Sequence, residues 1–502
     1  MGNILQQLLI RCVVGQGQGQ VITIDVLPDE VLLDIFDLCV GQDLSKRIIY
    51  AESEIEAWQI LVHVCRRWRN IVFGSPLRLN LALLCTDKTP ARGTLNVWPP
   101  LPLFIQSSAY PPYSNYKAEG VDNIVAGLER SDRVCQINLA DVTNLHSQEL
   151  LAALQRPFPE LRHLRLSSFT EPVIPDSFFP DSFLGGSAPR LQHISLFGIT
   201  FPGLPKLLLS ATHLVDLDLV YIPHSGYISP DAMATTLSTL TCLERLLLAF
   251  QSPQSFPDQG SRRPPPPTRS VLPLLAEFVF HGVSDYMEYL VALIDVPQLN
   301  KLQIIFFNQI IFDTPQFIQF VNRTPTLKAL EKAHVTFGSN GANVMLSSGS
   351  PQRVSKFLYV KIACRELDWQ VSSLEQVCTS SLLPLFALED LYVYKIPNSP
   401  SDWQDNIENA LWLELFRHFP AVKNLYLDVE FAPRIMPALQ ELVGGRTTEV
   451  LPTLQNIFFE ELQESGPVQE GILQFVAARQ VTSHPIAVSL WEDSQEDKIM
   501  RY

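Results

Sequence analysis

Leu161-Arg162-His163-Leu164-Arg165-Leu166, Leu191-Gln192-His193-Ile194-Ser195-Leu196 and Leu214-Val215-Asp216-Leu217-Asp218-Leu219 repeat one pattern, apolar at the first, fourth and sixth places. Side chains alternate along an extended chain, so the fourth and sixth residues enter a core while the third and fifth face the other way. Further copies begin at residues 134, 243, 275, 299, 388, 422 and 454, and from 134 to 299 consecutive copies start 23 to 32 residues apart. The pattern blurs between 304 and 388, where Leu327-Lys328-Ala329-Leu330 and Val354-Ser355-Lys356-Phe357-Leu358-Tyr359 are degenerate candidates.

Between copies the apolar spacing becomes that of a helix. Ser147 caps a segment 148–154 that stops before Pro157, and Ser229-Pro230-Asp231 opens another running to Leu240. Segments 315–321, 410–416 and 471–476 do the same. A proline often stands just ahead of the strand (Pro159, Pro189, Pro297, Pro325, Pro420, Pro452), where it ends the helix and starts extended chain. Period and alternation resemble leucine-rich repeats, which implies a curved α/β solenoid with parallel strands on the concave side and helices on the convex side. A compact α/β domain with crossover helices is the alternative, although no glycine-rich phosphate loop accompanies it.

At 502 residues the chain exceeds one compact core, and 46% hydrophobic with 18% charged residues is a globular composition. A formal net charge of −15 argues against nucleic acid and anionic membrane as partners, because phosphate binding needs clustered Lys and Arg. The eight cysteines form no Cys-x-x-Cys and several sit at apolar places, as expected of an intracellular protein of cytoplasm or nucleus. Asn322-Arg323-Thr324 then has no meaning as a glycosylation signal. Residues 1–23 read as a flexible N-terminal segment. Its apolar run at 4–14 is broken by Gln6, Gln7 and Arg11, is too short for a membrane span and lacks signal-peptide features. Gln6 stands where myristoylation would want Ser or Thr, and 15–20 alternates Gly with Gln as a linker does. A proline-rich loop at 252–269 holds Pro264-Pro265-Pro266-Pro267, which reads as a surface loop or as a polyproline II ligand. From 491 to 502 the chain is an acidic tail. Between residues 77 and 106, two strand-like runs (77–84 and 101–106) flank a turn at Trp98-Pro99-Pro100.

A different signal precedes the repeats. Leu27-Pro28-Asp29-Glu30-Val31-Leu32-Leu33-Asp34-Ile35-Phe36 reads as a helix with a proline and two acids in its first turn. Ala57-Trp58-Gln59-Ile60-Leu61-Val62-His63-Val64-Cys65-Arg66-Arg67-Trp68-Arg69 reads as a second helix, with Leu61, Val64, Cys65 and Trp68 as its apolar stripe and the arginines solvated. These two stretches resemble the F-box family, and the likeness covers residues 24–80. The connection from Asp37 to Glu56, with a loop at Gly41-Gln42-Asp43-Leu44-Ser45, is longer than most F-boxes have. The resemblance implies docking on the adaptor that links substrate receptors to a cullin-based ubiquitin ligase, with Leu27, Pro28, Ile35, Phe36, Val64 and Trp68 forming or supporting the contact. An ordinary helical hairpin, in which Phe36 and Trp68 only pack internally, is the other reading.

The expected architecture is therefore a helical F-box-like module at 24–80 followed by a leucine-rich-repeat-like α/β solenoid at 81–490. No metal-ligand spacing, nucleophile elbow or Walker loop is present, so the sequence points to a non-enzymatic protein without cofactor or metal. The function implied by the resemblance is substrate recognition within the ligase. The alternative is an interaction scaffold outside the ubiquitin system. Either way a protein partner would meet the outward strand positions: His163, Arg165, His193, Asp216, Asp218 and Arg245, then Tyr392 and Tyr426. His163 and His193 align on successive strands, yet a metal would need a third ligand.

Overall fold

The computed structural model describes residues 27–40, 57–76, 78–79, 81–88, 91–107, 118–140, 147–168, 180, 182–201, 203–253, 268–309, 311–348, 356–378, 383–396, 407–443, 446, 448–461 and 467–491. The expected N-terminal segment 1–23, the loop at 41–45, the proline run 264–267 and the acidic tail beyond Trp491 lie outside the described residues. The chain divides into two compact units, 1–161 and 162–502.

The first unit begins with helices Asp29–Val40, Ala57–Val62 and Arg66–Gly74. Leu32 and Phe36 are fully buried, and Phe36 packs on buried Trp68 with ring centroids 4.8 Å apart. The second stretch is two helices rather than the expected one. The chain turns at His63 and Val64, and the Cys65 thiol caps the next helix by accepting from the Trp68 amide at 3.5 Å. That break swings Val64 out of the apolar stripe and leaves it 56% exposed. Nor are the arginines merely solvated. Arg67 donates to the Leu27 carbonyl at 2.5 Å and to Asp29 Oδ1 at 2.6 Å, tying the two stretches together. Arg69 donates to the Val62 carbonyl at 3.0 Å, satisfying the end of the preceding helix.

Strands β1 (Leu83–Thr86), β2 (Leu103–Gln106) and β3 (Val134–Leu139) follow, paired in parallel in that order. Helices Ala91–Val97, Ala118–Leu128 and Ser147–Leu154 come after them in turn. Strand-plus-helix repetition thus starts before its first clear copy in the sequence, and a helix separates β1 from β2 where only a proline turn was expected. Trp58 fastens the helical hairpin to this start. Its indole Nε1 donates to the Ala82 carbonyl at 3.0 Å, and its ring meets Trp98 edge-on at 5.2 Å.

In the second unit the strands are β4 (His163–Ser167), β5 (His193–Phe197), β6 (Asp216–Ile222), β7 (Arg245–Phe250), β8 (Ser270–Val271), β9 (Glu277–Gly282), β10 (Ile294–Asp295), β11 (Lys301–Phe306), β12 (Lys332–Gly338), β13 (Gly341–Ser347), β14 (Phe357–Ile362), β15 (Asp390–Lys395), β16 (Asn424–Leu427), β17 (Asn456–Phe459) and β18 (Ala487–Leu490). β8 and β10 form a separate short pair, and the rest run β4-β5-β6-β7-β9-β11-β14-β13-β12-β15-β16-β17-β18. The pairing is parallel except on either side of β13.

Register follows the leucines. Leu164, Ile194, Leu217, Leu246, Phe278, Leu302 and Leu358 pair in one row, and Leu166, Leu196, Leu219, Leu248, Phe280, Ile304 and Val360 in another, all buried. Just before several of the strands a backbone carbonyl accepts from two successive amides of the next repeat. The Gln192 carbonyl takes Val215 and Asp216 at 2.8 and 3.0 Å, and Val215, Glu244, Ala276, Glu389 and Lys423 repeat the device. Helices back this face, with Ser284–Leu293 beside Pro315–Arg323, then Leu367–Val377, Asn409–Arg417, Ala432–Gln440 and Pro467–Val481 side by side in order.

Two interior polar groups join neighbouring repeats. Buried Asp428 accepts from the Lys395 amide at 2.6 Å and the Phe431 amide at 2.8 Å, linking β15 to the start of the helix at Ala432. Arg479, fully buried, donates to the Leu451 carbonyl at 2.7 Å and the Val450 carbonyl at 3.3 Å.

The blurred stretch between 304 and 388 has a structural cause. Leu327 lies in a short 3-10 turn (Pro325–Lys328), the next strand is β12, and the chain then doubles back as β13 before β14. The reversal turns on Gly341, whose φ of +146° and 2.2 Å separation between an added Cβ and the Ile362 carbonyl oxygen admit only glycine.

Truncating a core leucine tests this register. Leu217→Ala removes a fully buried side chain in the middle of a row and should lower stability by about 2–5 kcal/mol. A urea midpoint unchanged from the parent chain would contradict the packing described.

Candidate functional site

Opposite the helices, the outward side chains of the second unit line up as rows across the strands. The first row reads His163, His193, Asp216, Arg245, Glu277 and Lys301. His163 and His193 stack ring on ring, centroids 4.4 Å apart and 6° from parallel. His193 Nδ1 lies 2.6 Å from Asp216 Oδ2. Arg245 donates to Asp218 in the neighbouring row at 3.3 Å and lies 3.6 Å from Glu277, which in turn lies 3.6 Å from Lys301. Read along the chain, these positions run from His163, Arg165 and His193 to Asp216 and Asp218, a basic group beside an acidic one. On the strands the signs interleave instead, because each acid reaches the base one strand along. Glu277 is the member of this network that the pattern reading lacked. Half-exposed pairs of this kind contribute about 0–1 kcal/mol each, so the row shapes a polar surface more than it holds the fold.

Burial works against charge here. Burial, reinforced by His193 and Arg162, pushes the His163 imidazole down to about 4, with Asp216 opposing. Burial likewise raises the Asp218 carboxyl against the pull of Arg245, and one Asp218 oxygen has no hydrogen-bond partner among the described residues. Arg165, in the second row beside Ser195, is exposed.

The second row continues as aromatic rings. His334, Tyr392, Tyr426 and Phe458 are in register and stacked at 4.5, 4.2 and 4.6 Å, all within 10° of parallel. Beside them runs an amide chain, with Asn456 donating to Asn424 and Asn424 to Asp390, each at 2.7 Å. Tyr392 was expected to present its ring to a partner. It lies on the expected face but is only 4% exposed, because Trp491 folds back over it at 5.7 Å and over Tyr426 at 5.6 Å. Tyr426 stays half-buried at the margin of this cluster. Sequence reasoning missed His334, hidden in the blurred stretch, and Trp491, assigned to the tail. The signal for His334 was available, since Asn340-Gly341 between apolar runs marks a hairpin turn.

The adaptor candidates separate into two kinds. Phe36 and Trp68 are interior, and Ile35 and Leu27 are half-buried. Pro28 and Val64 are exposed, as are Val31, Leu38 and Ile60 on the same helices.

Among the described residues, no group of three His, Cys, Asp or Glu side chains could hold a metal ion. No helix among them is long and apolar enough to cross a membrane. The described cysteines are free thiols, and burial pushes Cys85 and Cys364 up to about 11 and Cys378 up to about 12, which leaves them poor nucleophiles at neutral pH.

No family model matches the sequence, and no curated protein matches it. A solved structure of the leucine-rich repeat-containing protein LegL7 from Legionella pneumophila aligns with 79% of this chain and 97% of its own, at 12% identity and a TM-score of 0.24. The structural agreement over that length is slight. The chain's own strand register is that of a leucine-rich-repeat-like array.

The His163 environment makes stability depend on pH. Its folded value of about 4 lies below the ordinary 6.5, so between those values the unfolded chain binds a proton that the folded chain does not. Stability contributed by the neutral ring is complete above pH 6.5 and falls as the pH drops towards 4. His163→Gln should flatten that part of the profile, read from urea midpoints between pH 7 and 4.5. An imidazole titration midpoint near 6.5 by NMR would refute it.

Proposed function

We propose that this protein is a substrate-recognition subunit of a cullin-type ubiquitin ligase, docking on the adaptor through its N-terminal helices and holding a target protein on its repeat array. The observation that carries this reading is the arrangement of the Leu27-Pro28 and Val64-Cys65-Arg66-Arg67-Trp68 stretches. Arg67 clamps both the Leu27 carbonyl and Asp29, and Phe36 packs on Trp68, so the two halves of the F-box-like motif form one small unit. That unit keeps Pro28, Val31, Leu38, Ile60 and Val64 at its surface. Exposed apolar side chains on so small a unit are what an interface with another protein would use. The protein itself would perform no chemistry. It would raise the local concentration of the target beside the ubiquitin-loaded enzyme. On the array, His163, Arg165, His193, Asp216, Asp218 and Arg245 offer a polar surface for the target, and Tyr426 an aromatic margin.

A second reading, an interaction scaffold outside the ubiquitin system, is favoured by Trp58. Its bond to Ala82 and its contact with Trp98 give the helices a structural task as the first layer of the array. The two readings part on adaptor capture. Leu27→Ala with Pro28→Ala, and separately Val64→Asp, should abolish co-purification of the adaptor from cells while circular dichroism and urea midpoints stay those of the parent. If the parent chain captures no adaptor, or the variants capture it equally, the scaffold reading stands.

A further inference from the structure

The strand order β11-β14-β13-β12-β15 departs from chain order at one place in the second unit. β11, β12 and β14 run the same way there, so their carboxyl ends share an edge. Asn308 follows β11, Asn340 sits at the tip of the β12–β13 hairpin, and Cys364, Arg365 and Glu366 follow β14. Together with Trp369 they line a cleft of about 450 Å³. This volume is within the usual range for ligand-binding clefts.

The side chains in this cleft differ from His193, Asp216, Arg245, Glu277 and Lys301 of the outward rows, which lie beside oppositely charged neighbours. Among the described residues, the side chains of Asn308, Asn340, Arg365 and Glu366 make no hydrogen bond or ion pair, and the Trp369 ring is 47% exposed with no ring against it. An unpaired guanidinium receives a carboxylate or phosphate through two parallel bonds. Primary amides offer both a donor and an acceptor to a peptide main chain, and an indole face gives an apolar side chain a wall. Trp369 also borders a second cleft of about 450 Å³, on which Asp368 and Glu408 stand.

We infer that this cleft binds an extended peptide segment of a partner protein, seating an acidic or phosphorylated residue on Arg365, the main chain on Asn308 and Asn340, and an apolar side chain on Trp369. The acids of the second cleft favour a basic residue on the far flank of that apolar side chain. The site needs neither the adaptor nor the outward rows, so it stands or falls separately from the receptor reading.

The test uses the purified full chain and fluorescein-labelled decapeptides that carry Leu at the centre, Lys two residues after it, and Asp, phosphoserine or Asn two residues before it. Fluorescence anisotropy should give at least tenfold tighter binding for the Asp or phosphoserine peptide than for the Asn peptide. Preference between those two identifies carboxylate or phosphate as the recognised group. Arg365→Ala should erase the difference, and Trp369→Ala should weaken all three peptides at least tenfold, with unchanged circular dichroism. Equal binding of the Asn peptide, or affinities unaltered by Arg365→Ala, would overturn the assignment.

Discussion

Everything in the second unit depends on a register that cannot slip. The buried rows that run from Leu164 to Leu358 and from Leu166 to Val360 fix which face of each strand enters the core. A shift of one residue would carry every leucine to the opposite face and every charged residue inward. The doubly accepting carbonyls at Gln192, Val215, Glu244 and Ala276 enforce the same alignment from the backbone. Because the core face is fixed, the opposite face is fixed too. Residues some two dozen positions apart in sequence, such as His193 and Asp216, thereby come within hydrogen-bond distance.

The positions that read most clearly from sequence are those where this constraint acts alone. Third and fifth places of each copy are where His163, Arg165, His193, Asp216, Asp218 and Arg245 are found, facing outward and in register. What the pattern could not convey is how neighbours on adjacent strands reach one another. Interleaved charges at Asp216, Arg245 and Glu277 depend on side-chain length and lateral spacing, which a linear string does not contain. Tyr392 shows the same limit more sharply. Its direction follows from alternation, but its burial follows from Trp491, a residue 99 positions later that was assigned to a tail. The hairpin at Gly341 broke the period and hid His334, because period counting assumes that every strand runs the same way.

Among the N-terminal helices, packing and exposure divide the labour. Phe36 and Trp68 build the interior, Arg67 locks the two stretches, and Trp58 anchors them to the first strand through Ala82. Pro28, Val31 and Val64 are left outside. Breaking the second stretch at Cys65 creates this division, since a continuous helix would have turned Val64 inward beside Leu61 and Trp68. A thiol in a capping role is a weak local signal, and nothing in apolar spacing alone marks it.

The antiparallel strand β13 has a consequence for how the array assembles. Each parallel pairing around it must close a connection of 20 or more residues, whereas β12 and β13 meet across Ser339 and Asn340. Loop-closure entropy grows as (3/2)RT ln n, so the hairpin forms at a cost lower by about 2 kcal/mol than its parallel neighbours. Among the pairings on either side of it, the hairpin is therefore the least costly to close. The same irregularity that interrupts the repeat thus supplies a local pairing within an otherwise long-range topology.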